Sequence, residues 1–90
     1  MKEVEKLKDE LKKRGFSKIV VVNDKPHAHY ALHEHSFPVE IVVIKGSVNL
    51  MVDKKEVELK AGEKLGIEVN EEHSVKTGAE GAKYIVAERK

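Results

Sequence analysis

Near the start of the chain the apolar positions Val4, Leu7 and Leu11 recur at spacings of three and four, and nearly everything between them is charged. That rhythm predicts an amphipathic helix over residues 2–14 with one narrow apolar stripe. Asp9 with Lys13, and Glu10 with Arg14, set acid before base one turn apart, the favourable order on a helix surface. Gly15 suits the left-handed residue that follows a helix, and Phe16 is then placed to touch Leu11. So thin a stripe covers the surface of something else and is not itself a core.

From Ser17 onward the period shortens to two. "KIVVV" (18–22) reads as a β-branched strand running into the turn cluster "NDKP". "EIVVIKG" (40–46) reads as a strand closed by Gly46. "SVNLMVD" (47–53) alternates, with Val48, Leu50 and Val52 on one face. "DKKE" reads as a turn, and "VELKAG" (57–62) as a short strand with Val57 and Leu59 inward. "KLGIEV" (64–69) and "HSVK" (73–76) flank a turn at Asn70. "TGAEG" (77–81) reads as a loop before a closing strand, "KYIVAE" (83–88). About seven or eight short strands with frequent turns predict an all-β antiparallel sandwich or barrel. The expected organisation is residues 1–15 as a helix packing on the barrel and residues 16–90 as a single domain.

Composition narrows the function classes. Lys plus Arg is 17 and Asp plus Glu is 16, a net charge of +1 with no dominant basic block. A nucleic-acid protein usually carries a strong basic excess, so no nucleic-acid partner is expected. There is no cysteine, which excludes disulfides and thiolate metal sites. No apolar run approaches the roughly 20 residues that span a bilayer, and the charged N-terminus lacks the apolar centre of a signal peptide. The expectation is a cytoplasmic protein without a membrane partner. Abundant Lys and Glu with few amides resemble a heat-adapted, thermophilic composition. A short chain buries a modest core, and an open barrel has edge strands that benefit from cover. A homodimer is therefore expected.

The chemistry lies in the histidines. Of the five in the chain, His27, His29, His33 and His35 fall within nine positions, and His73 stands far downstream. In a strand, residues i and i+2 share a face, so His33 and His35 present two imidazoles to one side, the β-equivalent of the helical i,i+4 ligand pair. His29 and His33 would stand roughly 13 Å apart in an unbroken strand, too far for one ion to take all four. H-x-H alone is also what solvent-exposed loop histidines would give. His27 and His29, following the turn at Pro26, read as rim residues.

Two longer patterns resemble the cupin family. The first family motif is glycine, five residues, H-x-H, three or four residues, glutamate, six residues, glycine. Here it reads "HAHYALHEHSFPVEIVVIKG", with His33 and His35 as the pair, Gly46 as the closing glycine and His27 in the leading glycine position. The second is glycine, five residues, P-x-G, two residues, histidine, three residues, asparagine. Here it reads "GEKLGIEVNEEHSVKT", with Gly62 and His73 at the family spacing. Glu68, Asn70 and Thr77 occupy the proline, second glycine and asparagine positions. The resemblance covers about residues 16–89. It implies a small antiparallel cupin, or jelly-roll, β-barrel with one short N-terminal helix. It also implies one divalent transition metal inside, with His33, His35 and His73 as ligands and a glutamate as the fourth. Imidazoles suit Fe, Mn, Ni, Co, Cu and Zn alike.

The glutamate admits two readings. Counting back from Gly46 puts the carboxylate position at Val39, whereas the acid is Glu40. One residue of slip turns a strand side chain to the opposite face. If the register follows Gly46, Glu40 points outward. If a bulge follows Pro38, Glu40 turns inward as a ligand. Three functions follow: a metal-dependent enzyme (oxygenase, isomerase or lyase) on a small-molecule ligand, a non-catalytic metal- or ligand-binding barrel, or a metal-free structural barrel. No nucleophile constellation and no phosphate-cradling glycine loop is present.

Overall fold

The computed structural model describes residues 2–33, 37–52, 54–68 and 73–89. Within them the order is α1 (Lys2–Lys13), β1 (Lys18–Asp24), β2 (His29–His33), β3 (Val39–Val52), β4 (Lys55–Lys60), β5 (Lys64–Ile67) and β6 (His73–Glu88). Every strand pairing is antiparallel. The all-β fold with one short helix is as the sequence implies. The expected turn at Asn70 lies outside the described residues.

The helix stops by local chemistry. Gly15 sits at φ +94°. Its N–H donates to the Lys12 carbonyl, and the Phe16 N–H donates to the Leu11 carbonyl, both at 3.1 Å. These are the paired bonds of a Schellman stop, with its apolar contact between the same two residues. Leu11 and Phe16 are buried with Val42, Ile85 and Ala87 in a cluster between α1 and the sheet. The Arg89 guanidinium donates to the Arg14 carbonyl at 2.8 Å, satisfying one of the acceptors that a helix end leaves open. Arg14 and Arg89 both lie over the Phe16 ring, 5.4 and 4.8 Å from its centroid. A guanidinium over a ring face at that range is a cation–π contact.

The strands differ from expectation at two places. The expected strands over 40–46 and 47–52 merge into one 14-residue strand, β3 (Val39–Val52). "HSVK", "TGAEG" and "KYIVAE" form one 16-residue strand, β6. Straight, β6 would run about 50 Å, yet the longest dimension of the molecule is 30 Å. Both strands therefore bend. The β3–β6 register shifts between Val43 and Lys45 and again between Gly46 and Val48. Gly46 and Gly81 take φ of +78° and +76° there. Gly46, expected to close a strand, and Gly81, expected in a loop, instead lie within continuous strands at these irregularities, which re-aim a strand without ending it.

Bending gives two layers built from shared strands. The first half of β3 and the second half of β6 pair with β5 and β1 respectively. The second half of β3 and the first half of β6 pair with β4 and β2. The interior cluster draws on both layers: Val39, Ile41, Val43 and Ile67 from one, Val48, Leu50, Leu59 and Val75 from the other. The even positions of the first half of β3, Glu40 and Val42, turn outward toward α1.

Thr77 ties the turn after β1 to this frame. It is fully buried. Its hydroxyl donates to the Lys25 carbonyl at 2.7 Å and accepts from the Ala28 N–H at 2.8 Å. Replacing Thr77 with Val removes both bonds at nearly constant shape and leaves the Ala28 N–H and the Lys25 carbonyl with only their long 3.4 Å bond to each other. We expect a loss of about 1–3 kcal/mol, read as a lower urea midpoint at unchanged slope.

Candidate metal centre

His73 opens β6 and is 2% exposed. It shares the strand parity of Val75, which belongs to the interior cluster, and of Thr77. Alternation along a strand therefore aims His73 into the interior. Ladders hold it on both sides: its Cα partner is His33 across β2 and Val52 across β3. A central strand position with two paired neighbours fixes the backbone more firmly than a loop does.

The register thus brings positions 33 and 73 opposite each other, though they are far apart in sequence. His35, the third expected ligand, lies outside the described residues, as does Glu34. Among the described residues no group of three or more His, Asp or Glu is assembled closely enough to hold a metal. His27 and His29 are exposed. His27 sits at φ +57°, and β2 slips its register between Tyr30 and His33, which breaks the parity between His29 and His33. Both are rim residues, as their position after Pro26 implies.

Glu40 requires a correction. It is buried, but on the helix side of β3, the face opposite Val39, Ile41 and Val43. Arg14 donates to both of its carboxylate oxygens, Nη1 to Oε2 at 2.7 Å and Nη2 to Oε1 at 3.0 Å. This two-pronged pairing is the geometry in which guanidinium and carboxylate bind best. Glu40 therefore does not stand on the histidine face: β3 pairs with β6 without a shift from Val39 to Val43, and no bulge after Pro38 turns the side chain inward. The hydrogen bond and the charge of Glu40 both raise the Arg14 guanidinium above its ordinary value, so the pair holds its charges together. The helix reading had given Arg14 to Glu10; the dominant partner comes from another element.

Tyr84 is core, 3% exposed, and its hydroxyl donates to Asp24 Oδ2 at 2.7 Å. Of the expected donor set, a buried inward imidazole with a second histidine in register opposite suits a borderline metal such as Zn, Ni, Co or Cu. The expected carboxylate is absent from that face at position 40.

Similarity to known proteins agrees with this frame. The cupin-domain family model matches residues 20–88. The chain belongs to the cupin family. Among solved structures this cupin resembles the manganese(II)-containing oxalate decarboxylase of Bacillus subtilis, with TM-score 0.74 and 21% identity over 79% of this chain and 20% of that one. It also resembles a cupin protein from Bacteroides fragilis (TM-score 0.71, 19% identity, 80% of this chain and 64% of that). A third likeness is to an RmlC-like cupin from Shewanella frigidimarina (TM-score 0.73, 17% identity, 84% and 68%). At these identities the likeness is one of fold. The chain spans a small part of the decarboxylase and less than two thirds of the Bacteroides protein. No curated protein matches this cupin. None of its described helices is long and apolar enough to cross a membrane.

Proposed function

We propose that this cupin binds a single divalent transition metal through His33, His35 and His73 inside the barrel, leaving open positions on the ion for a small organic molecule. The observation that carries the reading is the burial of His73 on the interior face with His33 in register opposite. A bound ion would supply Lewis acidity and a docking point at those open positions. The chain's own part is to hold the imidazoles and keep water away. The two ladders around His73 fix its position, and the apolar residues Val52 and Val75 pack the interior beside it.

A binding role is favoured over turnover by the engagement of Glu40 with Arg14, which removes a carboxylate that would otherwise move a proton near the ion. The second reading, a metal-dependent enzyme of the oxygenase or isomerase kind, draws on the fold shared with the oxalate decarboxylase.

The test is direct. Protein stripped with chelator and titrated in turn with Fe(II), Mn, Co, Ni, Cu and Zn should gain thermal stability with at least one of them. Elemental analysis should find that ion bound stoichiometrically. A protein whose melting moves with none of the six, and which purifies without metal, sinks the reading.

A further inference from the structure

We infer that this chain pairs with a second copy of itself along the free edge of β1. The two strands run antiparallel about a two-fold axis at Val21, with Lys18 of each copy opposite Asp24 of the other.

Among the described residues four strands are paired on one side only: β1 and β2 with β6, β4 and β5 with β3. A free strand edge is a row of unmet backbone donors and acceptors, and folds guard such edges with charge, shortness or a break in register. Three of these edges are guarded. β4 holds Lys55, Glu56, Glu58 and Lys60 within six residues. β5 is four residues long and includes Lys64 and Gly66. β2 slips its register between Tyr30 and His33. β1 is guarded by none of these. It runs seven residues against β6 without a shift, and between Lys18 and Asp24 it carries no charge, no proline and no glycine. Val20, within that run, is 43% exposed. The connections at the two ends of β1 lead back toward β6 rather than across the edge. The Ser17 N–H donates to the Glu88 carbonyl at 3.0 Å, and the His27 N–H to the Gly78 carbonyl at 3.3 Å.

The order of residues along β1 selects a second copy as the occupant. A two-fold contact is self-complementary: residue i meets j, and j meets i. About Val21 an antiparallel ladder sets Lys18 opposite Asp24, Ile19 opposite Asn23 and Val20 opposite Val22. Lys18 is exposed and Asp24 half-buried, and opposite charges in register across a ladder stabilise it. Asp24 holds the Tyr84 hydroxyl through Oδ2, and a carboxylate accepts several donors at once. The axis repeats the Lys18–Asp24 pair, so charge closes both ends of the contact. Sliding by two residues loses both pairs. One direction puts Asp24 against Phe16; the other puts Lys18 against Pro26, which has no N–H to give.

Alternation sets Val20 and Val22 of both copies on one face, which covers the exposed Val20. On the other face Val21 meets its own copy, beside Ile19. Both are half-buried and pack against the cluster under α1. The two-fold stands normal to the sheet. The layer β5–β3–β6–β1 therefore continues into its copy, with both α1 helices on the same side.

The experiment measures the mass of the full chain by sedimentation equilibrium over a range of concentrations, in wild type, Lys18→Asp, Asp24→Lys and Val20→Lys. Wild type is expected to dimerise. Each charge reversal sets like charges opposite at both ends and is expected to weaken the dimer by about 10-fold or more at low salt. The loss shrinks in molar salt, where screening is strong. Mixed in equal amounts, Lys18→Asp and Asp24→Lys regain two opposite pairs and are expected to associate as wild type does. Val20→Lys places a cation within the ladder and is expected to be monomeric. A wild type that stays monomeric at millimolar concentration overturns the proposal. So does a dimer that neither Lys18→Asp nor Val20→Lys weakens, which places the contact on another face. A mixture that fails to associate overturns the Lys18–Asp24 register. If Asp24→Lys does not fold, the β1 amides directed away from β6 decide. Hydrogen exchange that slows as wild-type concentration rises supports the pairing, and exchange independent of concentration overturns it.

Discussion

Replacing His73 with alanine is expected to abolish the rise in melting temperature that metal produces. A ligand present at about 100 times its dissociation constant stabilises a fold by about 2.7 kcal/mol. In a domain of this size each kcal/mol moves the midpoint by about 4–8 °C. The wild-type protein should therefore melt roughly 10–20 °C higher when loaded than when stripped, and His73→Ala should melt at one temperature in both states. Comparing loaded with stripped protein within each variant cancels the packing lost with the side chain, because that loss is common to both states. His73 is the right residue to remove because it is described at the level of burial, face and register. A variant that keeps the full metal-dependent shift would show that the ion, if bound, is held elsewhere.

Replacing Gly46 with alanine is expected to cost about 2–5 kcal/mol, the sum of a left-handed backbone penalty and the strain of overpacking. Gly46 sits at φ +78°, and a Cβ there would overlap the carbonyl oxygen of Gly81, a backbone atom of the neighbouring strand. Backbone cannot step aside as a long side chain can. Gly81 has the same problem with the carbonyl oxygen of Asp24, so the three strands β3, β6 and β1 cross here at close range. Gly62 is the control. It also has positive φ, +91°, but nothing lies within 4 Å of its missing Cβ. Gly62→Ala should therefore lose only the conformational part, about 1–2 kcal/mol. Thermal or urea midpoints of the two variants separate the steric contribution from the conformational one. Equal midpoints would mean that the close crossing is not a feature of the protein in solution.

The parts of this fold that were legible in the sequence are those decided by neighbours along the chain. The stop at Gly15 and Phe16 needs only the preceding turn of helix, and it is found with both of its hydrogen bonds. The inward faces of Val48, Leu50 and Leu59 follow from alternation and are all buried. Counting from Gly46 also gave the outward reading of Glu40, one of two left open, and the side chain does face α1, although the register shift between Val43 and Lys45 means that parity alone does not carry from Gly46 to Glu40.

What escaped depends on pairing at long range. "KGSV" looks locally like the end of one strand and the start of another. Whether a glycine closes a strand or bulges within it is set by the partner strand, and β6 is distant in sequence. Arg14 shows the same limit. The helix offered Glu10 one turn away, but the bidentate partner is 26 residues distant. Thr77 could be matched to a motif position, yet its two bonds reach back about fifty residues to a turn. The histidine pair opposite each other, positions 33 and 73, could be suspected from a motif but required the β2–β6 register to become a spatial statement.

The two long strands have a consequence for how the protein comes apart. Neither layer owns its central strands; each borrows half of β3 and half of β6. Peeling one sheet away drags the ladders of the other, so partial opening has no inexpensive intermediate and the amides of both halves should exchange with solvent through a common event. An ion clamped where those strands begin and end would then lower the exchange of hydrogens at the distant glycine crossing as well.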